Sequence, residues 1–347
     1  MIMNNTVAEG QAGKKRYTEV DIARGIGILF VVLGHAIKQT EVSAGWIRAL
    51  TYIIYSFHMP LFFCLSGFVS YRILTMDRGQ RLTYIRSRAW KLLIPYFTIG
   101  LIYIPVKLKF SAAAVKPFTV ADIPKLLIGQ NPDVSLWFLY VLFVIELICA
   151  LVINTYNFRS IWYGSFFLSV AVYWANLDIR TLKYLFFFLA GIWVRLKFED
   201  CRKDGIEDVM GGQALLAFLA LVADIAAIIF LYKTTITVTF MLTSLCGIYL
   251  TIWIASRLVY NIDGEPIQPG RVGSILLTLG LFSMDIYILH EPVMTVLKLI
   301  LWTKLGWNYI LCTLIIFLAA LCLPIPISKW VIRKVRLFRI LFFGERK

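Results

Sequence analysis

The stretch "ARGIGILFVVLGHA", residues 23–36, sets Arg24 and His35 eleven residues apart in an otherwise apolar run. At about 100° per residue this spacing is three helical turns plus roughly 20°, so both side chains share one face, about 16 Å apart along the axis. Asp21 precedes Arg24 at the i,i+3 spacing of a helical ion pair. Two readings fit. In one, Asp21 and Arg24 pair at a membrane interface and His35 packs in a core. In the other, a polar stripe runs down one helix to a base near its far end, because a buried arginine faces a bundle interior or a watery cavity.

Further groups of this kind recur along the chain. "YSFHMPLFFCLSGFV" places His58 beside Pro60, and a proline inside a helix frees a carbonyl for a polar neighbour. Ser66 and Gly67 then permit close approach of another helix. "DRGQRLTYIRSRAWKLLIPYF" carries Arg78, Arg81, Arg86, Arg88 and Lys91, which suit either a topology signal at lipid headgroups or a phosphate site. "SLWFLYVLFVIEL" buries Glu146 at about the depth of Arg24, a candidate partner for it, and opens on Trp137. "SMDIYILHEPV" holds Asp285, His290 and Glu291. All three histidines of the chain fall in apolar segments, towards one side. Asp224 is an isolated acid with no assigned role.

The elements that must position these groups are membrane helices. Of the 347 residues, 60% are hydrophobic and 15% aromatic, and the mean hydropathy is +0.77. Runs of roughly 20 apolar residues recur, and the shorter alternating segments of a barrel do not. The expected fold is all-α, a polytopic helical bundle of about ten spans near 18–38, 47–73, 92–108, 134–155, 161–176, 182–197, 213–232, 236–256, 273–297 and 307–328. Alternate loops and the two tails collect about two thirds of the Lys and Arg residues, which places both termini in the cytoplasm. The expected division is a cytoplasmic tail (1–17), a transmembrane domain (18–328) and a basic cytoplasmic tail (329–347). The net charge of +15 is thereby explained without nucleic acid. The apolar run after Arg16 lacks a small-residue cleavage site and is read as retained. Six cysteines show no CxxC spacing, so neither a disulfide framework nor a zinc site is expected. The long outer loop, 109–133, with Pro117, Pro124, Pro132 and Asp133, is either a connector or an acceptor guide.

Taken in order, these stretches resemble the acyltransferase-3 family of membrane O-acyltransferases, in its fucose 4-O-acetylase-like and exopolysaccharide acetyltransferase branch. The resemblance runs over roughly residues 18–297, through "EVDIARGIGILFVVLGHA", "FHMPLFFCLSGF", "LLIPYF", "LWFLYVLFVIEL", "FFFLAGIWV" and "SMDIYILHEPV". It implies transfer of an acetyl group from cytoplasmic acetyl-CoA to a hydroxyl of a sugar or polysaccharide, lipid-linked or polymeric, at a bacterial cytoplasmic membrane. His35 matches the family's essential histidine and Arg24 its arginine, with Asp21 and His58 beside them. Two family arginines separated by two residues fall on Arg88 and Lys91. The lysine keeps the charge but loses bidentate phosphate recognition, and Arg86 is the candidate second guanidinium. Glu146, His290, Glu291 and Trp137 complete the set as supporting or substrate groups. Acyl transfer from a thioester needs a base and oxyanion donors rather than a metal. The competing class is a transporter or flippase for a glycolipid or small solute, which would favour internal repeats that this chain does not show.

Overall fold

The computed structural model describes residues 16–38, 45–109, 118–204, 237–261 and 265–345, with isolated helical positions at 216, 219, 220, 222 and 223. Every named element among these residues is helical, and one isolated bridge joins Tyr260 to Pro266. The main helices are α1 (Thr18–Lys38), α2 (Gly45–Ser70), α3 (Arg78–Lys109), α4 (Trp137–Val152), α5 (Phe158–Trp174) and α6 (Arg180–Asp204). They continue with α7 (Thr237–Arg257), α8 (Arg271–Leu281), α9 (Ser283–Lys298), α10 (Tyr309–Cys322), α11 (Pro324–Trp330) and α12 (Arg336–Phe343). A 3-10 segment, Val120–Ile128, occupies the loop before α4 and is capped by Thr119 and Asp122 reciprocally.

Six helical stretches among the described residues are long and apolar enough to cross a membrane, or seven if α8 and α9, bent by 77° at Phe282, count as one. Ten spans are therefore not reached there, for physical reasons. The α5 helix has only 17 residues. In α6 the apolar run is hemmed in by Lys183 and Arg195, too close together for a bilayer core of about 20 residues. The expected span 213–232, with Asp224, lies outside the described residues apart from the isolated positions, as do Lys14, Lys15 and Pro117.

The first helix is the axis of the bundle, packing against α2, α7, α8, α9 and α10. Its contact with α8 is backbone on backbone: a Cβ at Gly25 would stand 1.9 Å from the Leu276 carbonyl oxygen, and one at Gly280 1.7 Å from that of Asp21. The crossing of α2 and α6 uses the same device, with Gly67 against Phe188 and Gly191 against Cys64. Pro60 cannot donate to Ser56 four residues back, and Ser244 of α7 donates to that freed carbonyl at 2.6 Å. The amino-terminal half of α1 is thus locked against α8, which leads directly into α9 and its Asp285, His290 and Glu291.

Candidate functional site

Polar clusters form at each end of α1. At the amino-terminal end Asp21, 3% exposed, bridges two arginines, accepting from Arg16 Nε at 2.6 Å and from Arg24 Nη1 at 3.0 Å. They open onto a cleft of about 410 Å³. Arg16, Arg24, Arg88, Lys91 and Arg333 set five cations in its lining against the carboxylates of Asp21, Asp285 and Glu345. Met59, Phe62, Phe138 and Leu139 provide an apolar wall. Such a lining suits a ligand with an anionic head and a slender apolar arm.

The arginines are held by buried acids. Arg88 donates from Nε and Nη2 to both oxygens of Glu146, each at 2.5 Å, and Glu146 is 1% exposed. Glu146 therefore pairs with Arg88 and not with Arg24, whose partner is Asp21 three residues away. Arg333 donates to Asp285 at 2.9–3.1 Å and to Glu345 at 2.6–2.7 Å. Ser328 also donates to Asp285. The basic stretch before α3 divides by role. Arg81 donates to the Ala150 and Ile153 carbonyls at the end of α4, at 2.6 and 2.9 Å, where a helix terminus lacks partners. Arg86 is exposed and stands off the cleft lining.

At the other end of α1, His35 Nδ1 meets Glu291 Oε2 at 3.4 Å, and the His290 ring lies edge-on to His35 with centroids 5.1 Å apart. His290 is fully buried. Its Nδ1 contacts the carbonyls of Tyr287 and Ile286 at 2.7 and 3.2 Å, so Nδ1 carries the proton and Nε2 the lone pair. That Nε2 is buried with no hydrogen-bond partner among the described residues. His58 stands one ring further out. Its Nδ1 contacts the Ile54 carbonyl at 2.5 Å, and Tyr55 lies between it and His35. His35, His290 and Glu291 each offer one ligand atom within 4.8 Å of the others, a group able to hold a metal ion by donor type and spacing.

Asp133 adjoins this cluster from the loop before α4. It is 1% exposed, and its Oδ1 accepts from the Ser135 backbone and hydroxyl at 3.0 and 2.6 Å. Its Oδ2 is buried without a partner among the described residues. Burial pushes its carboxyl up to about 6; the Glu291 charge pushes the same way, and the Ser135 hydrogen bonds and His35 oppose it. The Tyr287 hydroxyl donates to the Ser135 carbonyl, tying this loop to α9. Beyond it lies a second, larger cleft of about 660 Å³ that includes Trp137 in its lining.

The profile of the acyltransferase-3 family, described as an acyltransferase domain, matches residues 17–329. The chain belongs to this family. It is an acyltransferase and a multi-pass membrane protein. The chain is 30% identical over 151 residues to nodulation protein NolL of Mesorhizobium japonicum, a match covering 41% of this chain and 37% of that protein. No solved structure matches it.

Of the sequence candidates, Asp21, Arg24, Arg88 and Lys91 converge on one cleft, with Glu146 behind Arg88. His35, His290 and Glu291 converge at the opposite end of α1, with His58 near them. Arg333 and Arg16 belong to the first of these sites without a site role in the sequence reading, and Asp133, which that reading names only within the connector or acceptor-guide loop, stands beside the second. Arg333 and Arg16 lie in tails whose charge reads as a topology signal, and the only cue to Asp133 was its place beside Pro132 at the end of a long loop.

Proposed function

We propose that this acyltransferase moves an acetyl group from cytoplasmic acetyl-CoA to a sugar hydroxyl of a surface or lipid-linked glycan in a bacterial membrane. The observation that carries this reading is the arrangement along α1. A cation-lined cleft stands at its Arg24 end, and a carboxylate-paired imidazole stands at its His35 end. Arg16, Lys91 and Arg333 bind the donor's phosphates, while Arg24 and the apolar wall guide its thioester arm inward. Glu291 accepts from Nδ1 of His35 and so orients the ring, leaving Nε2 to take the proton of the acceptor hydroxyl. The hydroxyl oxygen forms the new C–O bond, the C–S bond breaks, and the proton passes from His35 to the departing thiolate. A neutral imidazole suits the first transfer and the imidazolium it becomes suits the second, and general-base help of this kind is worth roughly 10²–10⁴ in rate.

The direct test is the full-length protein in lipid nanodiscs with acetyl-labelled acetyl-CoA and glycan from the source cells, stripped of esters by mild alkali. Label in an alkali-labile ester on the glycan supports the reading. Intact acetyl-CoA and unlabelled glycan reject it.

A further inference from the structure

We infer that the cleft of about 660 Å³ at the His35 end is the acceptor subsite, built for a saccharide unit. The inference rests on the transferase reading above and gives its acceptor a place. The volume lies within the roughly 300–1,000 Å³ of small-molecule sites. Its lining mixes apolar and polar side chains, Trp137, Tyr140 and Val141 with Gln130, Asp178 and Arg180. A pyranose has the matching character, with C–H faces that pack on apolar surface and a rim of hydroxyls that both donate and accept.

Four of the five charged side chains in the lining are already matched, and Lys107 is the fifth. Lys125 meets Asp122 at 2.6 Å, which with the Thr119 hydrogen bonds holds the Asp122 carboxyl down at about 2. Arg180 meets Asp178 at 3.4 Å. A saccharide hydroxyl can sit between the donor and acceptor of either pair without breaking it, and Lys107 adds a further donor to the lining. The Arg180 guanidinium lies over the Trp137 ring at 4.8 Å, and Tyr184 packs on that ring at 5.3 Å. Among the described residues Arg180 spends one N–H, on Asp178, so most of its donor fork is left for a ligand.

The position of the cleft links it to the chemistry. Asn131, Pro132 and Val134 line it, Asp133 between them lies off the lining, and the next-but-one residue, Ser135, accepts from Tyr287 on the helix that carries His290 and Glu291. One turn of chain is thus the wall shared by the cleft and the histidine cluster. The unpartnered Oδ2 of Asp133 is a ready acceptor for a sugar hydroxyl carried past the edge of that wall.

The test compares wild type, Arg180→Ala and Asp178→Asn in the nanodisc assay, with ester-stripped source-cell glycan as the varied substrate. Both altered side chains are well exposed, at 39% and 74%, so folding is expected to persist. Loss of one charge-assisted contact is expected to raise the glycan concentration for half-maximal transfer about tenfold, with the acetyl-CoA KM unchanged. Unchanged glycan half-saturation in both variants overturns the subsite, and so does a rise confined to the acetyl-CoA KM. Absence of transfer by wild type overturns the transferase reading itself, a result distinct from either.

Discussion

His35 and Glu291 stand 3.4 Å apart, at the long end of a hydrogen bond, a geometry expected to tighten under the proposed reaction as the acceptor hydroxyl presses its proton on the ring. His35→Ala is expected to lower acetyl transfer by roughly 10²–10⁴, and His35→Gln equally, because an amide cannot take the proton. Glu291→Gln should keep the ring in place and lose about tenfold or more. Initial rates at saturating donor measure all three, with size-exclusion profiles reporting the fold. The same residues have metal-ligand spacing, so chelation separates two chemistries. Treatment with EDTA is expected to leave turnover unchanged. Loss of turnover that zinc restores would instead assign His35, His290 and Glu291 to a metal.

Between elements, the Arg88–Glu146 pair clamps α3 to α4 and sets the wall of the cation-lined cleft. Arg88→Ala leaves a buried carboxylate unpaired, which costs about 3–5 kcal/mol. Its thermal midpoint in detergent should fall well below wild type, and adding Glu146→Gln should restore most of the difference. Arg86→Ala, on an exposed position, should change neither stability nor the acetyl-CoA KM, whereas Lys91→Ala should raise that KM about tenfold. This pair also marks where the sequence stops being legible. Asp21 and Arg24 can be matched by eye because a helix brings residues three apart together. Glu146 is visibly a buried acid, but its partner lies 58 residues away on another helix, and no periodicity encodes that crossing. Segment counting likewise cannot foresee the 77° bend at Phe282, since hydropathy along the chain is blind to direction. The paired imidazole and carboxylate at the end of α1 were legible as types and only became a site when α9 was packed on α1.

Across the whole molecule one cleft takes in the first turns of α1 and the other lies at the ends of α3, α4 and α6, and the proposed reaction has a direction. In sealed vesicles of known orientation, acetyl-CoA is expected to work only from the side of Arg16 and Arg333, with ester appearing on glycan at the opposite face. Ester formed only on the donor side would reject transfer along α1 while leaving the enzyme class intact. The lining of the cation-lined cleft begins at Arg16 and does not end until Phe343 and Glu345, where α12 lies along α3 and Gly344 sits against the Trp90 carbonyl. That layout sets an order of events in biosynthesis. At about 5–20 residues per second, Asp21 and Arg24 wait tens of seconds in the membrane before the last wall of their cleft leaves the ribosome. The growing chain can therefore insert, pair Arg88 with Glu146 and seat His35 beside Glu291 before this cleft is closed, so on the proposed reaction donor binding is expected only when synthesis has passed residue 345.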